Sequence, residues 1–212
     1  FAIKSHVNAS KAQNSNSFKD EITVINKNDI QVSEDGGIRP NTSQDILNNL
    51  KLVFDENGTI TAGTASPLTD GAAATLICEE EYAKANKLPI LARIKSTAVQ
   101  GCPPELMGLG PINASRKALN RANLTIDDID VVELNEAFAS QSIACIQELN
   151  INPDIVNMEG GAIALGHPLG ATGTRITAKA ASLMVKKNKK YALATQCIGL
   201  GQGIATVLER VE

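Results

Sequence analysis

The sequence predicts an α/β fold, a buried sheet layered between helices. Two observations carry that reading. From residue 89 to residue 212, strand-like and helix-like segments alternate, which is the pattern of a sheet with helical crossovers. The hydrophobic 43% of the chain is also nearly free of aromatics, at 3% with no Trp, so the core has to be built from Ala, Ile, Leu and Val. Such side chains suit helices packed closely on a sheet. With 212 residues the chain can hold one sizeable core, or one domain and part of another.

Residues 1–16 read as the end of a helix with Ile3, Val7 and Ala12 on its apolar side. Phe18 to Ile25 reads as a strand. Asp35-Gly36-Gly37 and Arg39-Pro40 mark turns, Thr42 or Ser43 caps a short helix reaching Leu50, and Asn57-Gly58 turns again. Up to about residue 68 the chain is polar and Asn-rich, a loop-rich excursion rather than a core. The composition changes at Asp70. Gly71 to Cys78 is an almost unbroken apolar run, expected as a buried strand. A helix over Glu79–Lys87, a strand over Ile90–Val99 and a helix over Ile112–Arg121 follow. Next come a strand over Asp130–Leu134 and a helix over Glu136–Leu149 with Phe138, Ala139, Ile143, Ile146 and Leu149 on one face. Val156-Asn157-Met158 reads as a strand. A helix runs from Gly170 to Lys187 with Ile176, Ala180, Leu183, Met184 and Lys187 at helical spacing and Asn188 as a left-handed end. Tyr191–Gln196 and Gly203–Glu209 close the sheet.

The net charge of −3, with no basic stripe interleaved with aromatics, argues against nucleic acid as a partner. The one basic cluster, Lys186, Lys187, Lys189 and Lys190, falls at a predicted helix end, where cations meet the negative end of the dipole. No apolar run approaches the roughly 20 residues that span a bilayer. The four cysteines, Cys78, Cys102, Cys145 and Cys197, have no CxxC spacing, so neither a disulfide framework nor a metal site is expected, and a reducing, cytoplasmic compartment is. The chain opens at Phe1 inside a helix and ends Arg210-Val211-Glu212, which is not a peroxisomal tripeptide.

Three segments carry chemistry, and each follows a predicted strand, where loops open into a crevice. The first is Gly160-Gly161-Ala162-Ile163-Ala164-Leu165-Gly166-His167-Pro168-Leu169-Gly170. His167 stands just ahead of a helix N-terminus, whose dipole favours the neutral imidazole; the alternative is a loop histidine bonded to a carbonyl. His6 sits on a polar stretch with no such setting. The second segment is Cys197-Ile198-Gly199-Leu200-Gly201-Gln202-Gly203. A cysteine where a strand breaks into glycines is expected to face the crevice, and the loop's N–H groups can hold an anion. The alternative is a cysteine packed as a small hydrophobe, the reading given to Cys78, Cys102 and Cys145. The third is Glu133-Leu134-Asn135-Glu136-Ala137-Phe138. Asn135 either caps the following helix or holds a water at the mouth of a site, and Glu136 in the first turn complements the helix dipole. A histidine and a cysteine on such loops point to acyl transfer or to proton abstraction beside a thioester, with cysteine-hydrolase chemistry still open.

In their order and spacing, Asn135-Glu136-Ala137-Phe138, Gly160 through Gly170 and Cys197-Ile198-Gly199 together resemble the thiolase family, especially its acetyl-CoA acetyltransferases. Ala62-Gly63, Ala65-Ser66, Asp70-Gly71-Ala72-Ala73-Ala74, Met107-Gly108, Gly110-Pro111 and Arg39-Pro40 extend the resemblance over essentially the whole chain. It implies a thiolase-like layered α/β/α fold made of the C-terminal half plus part of a loop domain. Residues 1–68 correspond to the end of the loop domain that covers CoA, 69–88 to the last strand and helix of the N-terminal half, and 89–212 to the C-terminal domain. It implies Claisen chemistry, two acetyl-CoA giving acetoacetyl-CoA and CoA. The alternatives are a degradative 3-ketoacyl-CoA thiolase and a catalytically silent CoA- or lipid-binding relative. Cys197 corresponds to the acid/base thiol. His167 corresponds to the group that activates the nucleophile and, with a water on Asn135, stabilises the enolate, and Gly199 N–H to an oxyanion donor. Arg39, Phe54, Ser66, Leu68, Met107, Ala137 and Phe138 correspond to CoA and acyl contacts. No cofactor or metal is implied, because the CoA thioester is substrate. A homo-oligomer, dimer or tetramer, is implied for the full-length protein. The family's nucleophilic cysteine has no match here and corresponds to a segment before Phe1, so this polypeptide alone is expected to be inactive. Departures are Pro67 with Leu68-Thr69, where relatives often have Gly and Leu-Asn, and Leu200, where they often have Gly.

Overall fold

The computed structural model describes residues 1–211. Its centre is a four-stranded mixed sheet in the order β3-β6-β5-β4. β4 (Val131–Leu134) and β5 (Tyr191–Ile198) run parallel, while β5 and β6 (Gln202–Glu209) form an antiparallel hairpin, and β6 pairs antiparallel with β3 (Arg93–Gly101). All four residues of β4 are buried, as expected of a strand covered on both faces. One face is covered by α4 (Gly110–Ala122) and α5 (Ala139–Glu148), with Ile112, Ala118, Leu119, Cys145 and Ile146 packed on Val132, Leu134, Leu193 and Val207. The other is covered by α7 (Thr172–Lys186), whose Ile176, Ala180, Leu183 and Met184 meet Val131, Ala192, Ala194 and Leu208. The side chains alternate between these two cores along each strand. The small core residues predicted by composition allow close layering: a Cβ on Gly203 would lie 2.1 Å from the Gly110 carbonyl, where α4 starts against β6.

Apart from Val156–Met158, the strands and helices from residue 89 onward lie where the sequence places them, within a few residues. α7 ends as expected, with Asn188 left-handed at φ 53°. Lys187, however, is exposed, and Lys179 is buried instead. The basic cluster is partly spent on ion pairs, Lys186 with Glu21 at 2.8 Å and Lys189 with Asp130 at 3.7 Å. Among the described residues, no helix is long and apolar enough to cross a membrane.

Five expectations are corrected. Phe18–Ile25 is a series of turns, with Glu21 and Ile22 N–H both donating to Phe18 C=O; only β1 (Ile25–Lys27) is a strand, paired with β2 (Ile30–Val32). Gly71–Cys78 makes no strand pairing and is exposed, Leu76 at 78% and Ile77 at 73%, because no strand of this chain lies alongside it. α1 (Ala2–Asn14) buries Ala2, Ser5, His6, Ala9 and Ala12 rather than Ile3 and Val7, since it packs on α6 (Ala162–Leu165) and the glycine turn ahead of it. Ile143 on α5 is 39% exposed. The predicted strand at Val156–Met158 shrinks to one bridge, Val156 to Val132: Asn157 turns left-handed at φ 45°, and its side-chain amide takes over the pairing, with Oδ1 accepting from Leu134 N and Nδ2 donating to Leu134 O. The short helices α2 (Gln44–Asn48), capped by Ser43, and α3 (Glu80–Ala85) complete the chain.

Candidate active site

β4 ends at Leu134, opposite Thr195, and β5 runs on to Ile198; the three singled-out segments lie at this end of the sheet. Asn135 extends β4 by one residue, its N–H donating to Thr195 O at 3.0 Å, so it stands beside β5 two residues before Cys197. It is 1% exposed and is not a helix cap: α5 starts at Ala139 after Phe138. The intervening residues pair with the 64–66 segment instead, through Ser66 N to Ala137 O at 3.0 Å and Ala139 N to Thr64 O at 2.8 Å. Asn135 Nδ2 points at His167 Nε2, 3.4 Å away, and its Oδ1 is buried without a protein partner.

His167 follows α6 and the left-handed Gly166, φ 91°, where a Cβ would come within 2.5 Å of Thr69. Thr69 Oγ1 accepts from His167 N–H at 3.2 Å and donates to Pro67 O at 2.7 Å. On the ring, Nδ1 lies 2.7 Å from Thr172 Oγ1, whose own proton goes to Pro168 O at 3.0 Å. With that hydroxyl proton committed, Thr172 accepts, so Nδ1 carries the hydrogen and Nε2 presents a lone pair toward Asn135. Burial and then the Arg175 charge hold the imidazole below its ordinary pKa of 6.5. The ring is therefore neutral near pH 7, with Nε2 free to take a proton.

Cys197 is 8% exposed, a more enclosed thiol than the crevice position expected from sequence. Burial, with a smaller push from nearby Cys102, raises its pKa above 9.0 against the pull of a backbone hydrogen bond. The thiol is thus protonated at rest. Its loop is clamped to the end of β3 by Cys102 N donating to Gly201 O at 2.8 Å. A Cβ at Gly199 would meet nothing within 4 Å, so the backbone there faces open space.

Of the expected substrate contacts, Ser66, Ala137 and Phe138 are brought together by the 64–66 bridge, and Phe54 sits edge-on to Phe138 at 6.3 Å. Leu68 is fully exposed next to Thr69, and Met107 lies half-buried in the 3-10 turn Pro104–Leu109 ahead of α4. Arg39 is not brought to this group: its N–H donates to His6 Nδ1 on α1, and its side chain is exposed. Cavities bordered by Ser5, Glu136 and Asn157 and by Leu119, Leu124 and Leu149 lie away from His167 and Cys197.

Comparison with known proteins fits this arrangement. A model of the thiolase C-terminal domain matches residues 88–210, and one of the thiolase N-terminal domain matches residues 1–81. The chain belongs to the thiolase family. A thiolase from Shewanella loihica named 3-ketoacyl-CoA thiolase is 53% identical, covering 99% of this chain and 57% of that protein. A second, from Shewanella sp. strain ANA-3 and of the same name, is 52% identical. The human mitochondrial 3-ketoacyl-CoA thiolase, solved in complex with CoA, superposes with a TM-score of 0.92 at 39% identity, over 99% of this chain and 53% of that one. The acetyl-CoA acetyltransferase of Bacillus anthracis superposes with a TM-score of 0.95 at 38% identity, over 99% and 54%. The chain therefore spans somewhat more than half the length of the thiolases it matches. Within this thiolase fold the sequence reading missed Thr69 and Thr172, which hold His167, and misplaced Glu136. Glu136 is not in a helical first turn; it is a fully buried carboxylate. No local sequence signal marks Thr69, whose contact spans 98 residues. Thr172, five residues after His167, was within reach of a helix-start reading.

Proposed function

We propose that this chain is the acid/base and oxyanion part of a 3-ketoacyl-CoA thiolase, cleaving a 3-ketoacyl-CoA with CoA to acetyl-CoA and an acyl-CoA two carbons shorter. The observation that carries the proposal is the neutral His167, held between Asn135 and Thr172, at the strand ends where the protonated thiol of Cys197 also lies. The names of the Shewanella relatives favour cleavage of ketoacyl-CoA over the acetoacetyl-CoA synthesis that the motifs alone favoured. The superposition on the acetyltransferase keeps synthesis as the second reading.

In this reading the acyl-carrying thiol comes from outside residues 1–212: Cys78 is exposed on an unpaired segment, Cys145 is packed in the core, Cys102 Sγ is turned to Leu106 C=O at 3.7 Å, and Cys197 is assigned the acid/base role. His167 Nε2 takes that thiol's proton, and the thiolate attacks the 3-oxo carbon. The C2–C3 bond breaks, and the electron pair moves onto the acetyl-CoA enolate. His167, now with a proton on Nε2, and a water on the free Oδ1 side of Asn135 stabilise the enolate oxygen; one such donor is typically worth about 100- to 1000-fold in rate. Cys197 gives its proton to C2, and its burial suits it to do so. The Cys197 thiolate then takes the CoA thiol proton, and the CoA sulfur attacks the acyl-enzyme carbonyl. The tetrahedral oxyanion meets Gly199 N–H and collapses to the shortened acyl-CoA, and the released thiolate recovers its proton from His167 Nε2. Ser66, Leu68, Met107, Ala137, Phe138 and Phe54 form the acyl-CoA contacts, with Arg39 a separate contact beside α1. Residues 1–68 act as part of the CoA cover, 69–88 as the edge of a second half whose strands pair with the exposed 71–78 run, and 89–212 as the C-terminal domain, in a dimer or tetramer. No resident cofactor takes part.

The test compares thiolysis of 3-ketooctanoyl-CoA and acetoacetyl-CoA by the complete protein. A higher kcat/KM for the longer substrate supports the proposal, and exclusive use of acetoacetyl-CoA replaces it with the second reading. No turnover of either leaves a CoA- or lipid-binding role.

A further inference from the structure

The Asn135–Phe138 stretch contains one group that the proposed chemistry does not use. Glu136 is 1% exposed, and its carboxylate accepts three hydrogen bonds, from Ser5 Oγ at 2.6 Å, Asn157 Nδ2 at 2.7 Å and Ile163 N at 3.1 Å. The donors belong to three different pieces of chain: α1, the left-handed turn that closes the bridge to β4, and the first turn of α6. α6 is only four residues long and runs directly into Gly166 and His167. Ser5 Oγ in turn accepts from Gly161 N at 3.1 Å. A Cβ on Gly161 would stand 2.2 Å from the Glu136 carboxyl carbon, so the glycine turn closes directly onto the carboxylate.

Asn135 and Glu136 are adjacent and point to opposite ends of one loop. The first reaches the His167 ring; the second holds the peptide segment that carries it. We propose that Glu136 is a positioning residue for the reaction: its carboxylate fixes residues 160–166, and thereby the height of the His167 imidazole above Asn135. The inference rests on the thiolase reading above.

The donor count makes the acceptor role specific: burial pushes the Glu136 carboxyl up, and the Ser5, Asn157 and Ile163 donors work against that rise. Ser5 has one hydroxyl proton, given to Glu136, because its oxygen already accepts from Gly161 N–H. Asn157 cannot reverse its amide without losing both bonds to Leu134. Ile163 N–H is a backbone donor. All three donors therefore need an acceptor, and an amide in place of the carboxylate sets an N–H against at least one of them. Glutamine has the right shape and the wrong donor pattern.

The experiment measures kcat, KM for CoA and the pH dependence of kcat/KM for Glu136→Gln and Ser5→Ala in the complete thiolase, beside wild type. Displacement of a reacting group by about 1 Å costs about 100-fold. Glu136→Gln is expected to lose about 10- to 100-fold in kcat with KM for CoA within about twofold. Its acid limb should move to higher pH, as the loosened imidazole gains water. Ser5→Ala, which removes one donor and keeps the carboxylate, is expected to lose several-fold in kcat with the same displacement of the acid limb. A Glu136→Gln enzyme that is less stable yet has wild-type kcat and an unmoved acid limb overturns the proposal. If that variant does not fold, wild-type kcat and an unmoved limb in Ser5→Ala overturn it instead. Should wild type itself show no thiolysis or synthesis, the functional reading fails separately. The His167 ring titration, followed by NMR in wild type and the same variants, then decides the role of Glu136: a raised imidazole pKa supports it and an unchanged one refutes it.

Discussion

Replacing Lys179 with Met leaves the volume of the side-chain stem and removes one buried charge. Lys179 is 4% exposed, with Nζ 2.6 Å from Glu21, 2.7 Å from Glu159 and 4.4 Å from the centre of the Phe18 ring. This one cation ties the turn after α1 and the start of the glycine-rich loop to α7. Removing one member of a buried ion pair costs about 3–5 kcal/mol, because the partner is left charged and desolvated. Glu21 retains Lys186 at 2.8 Å, while Glu159 retains only the Ser17 hydroxyl, so Glu159 is the group left stranded. We expect a loss of about 3–4 kcal/mol at pH 8, toward the lower half of that range because Glu21 stays paired. The pH dependence has a definite sign. Burial alone raises both carboxyls, yet the bonds and charge of Lys179 outweigh it and hold both below 4.5. Folded-state pKa values that are depressed give stability that is full above the ordinary carboxylate range and is lost as pH falls through the folded values. In Lys179→Met the burial is opposed at Glu159 only by the Ser17 hydroxyl and the Lys186 charge, and at Asp35, whose carboxyl burial already raises, only by Arg175. Those groups then take protons more readily when folded, so the variant's deficit shrinks as pH falls. Urea unfolding at pH 8 and pH 5 measures both effects. A deficit below about 1 kcal/mol, or one of equal size at the two pH values, refutes the reasoning.

Three further outcomes follow from the same geometry. Gly203→Ala puts a methyl 2.1 Å from the Gly110 carbonyl, and separating α4 from β6 should cost at least the roughly 1–3 kcal/mol of overpacking, read as a fall in the urea midpoint. Thr172→Val removes the acceptor for His167 Nδ1–H; kcat should fall about 10-fold or more while circular dichroism is unchanged, and full activity would show that the tautomer is held by something else. Leu200 is left-handed at φ 70° with its side chain 90% exposed, so Leu200→Gly should relieve strain and raise stability by about 0.5 kcal/mol, net of the flexibility glycine adds to the unfolded chain.

The α/β layering was legible because strands such as β5 carry a buried apolar run, Ala192 to Ala194, and helices such as α7 show their buried face at helical spacing. The same signal misled at Gly71–Cys78. Apolar content marks a segment that needs cover, and it does not say whether this chain supplies the partner strand. Phe18, at the head of the predicted strand Phe18–Ile25, is buried in a turn beneath the Lys179 ammonium, a contact that only the tertiary fold provides. At the site, His167, Cys197 and Asn135 stood out because each follows a strand into glycines or a helix start. Thr69 did not, and Glu136 stood out only as a partner for a helix dipole, because the contribution of each is a hydrogen bond to a segment far along the chain, which looks the same in sequence whether it is made or the side chain faces water. Asn157 shows the same limit: its side chain completes a strand pairing that its backbone abandons.

The central claim is that the thiol at 197 handles the C2 proton of a thioester beside the His167 imidazole. The direct measurement is single-turnover thiolysis of 3-ketooctanoyl-CoA by the complete protein carrying Cys197→Ala, with folding checked by circular dichroism. The account predicts that release of acetyl-CoA falls by at least about 1000-fold, to the level left by binding and oxyanion donors alone. Release at the wild-type rate from the folded variant would contradict it.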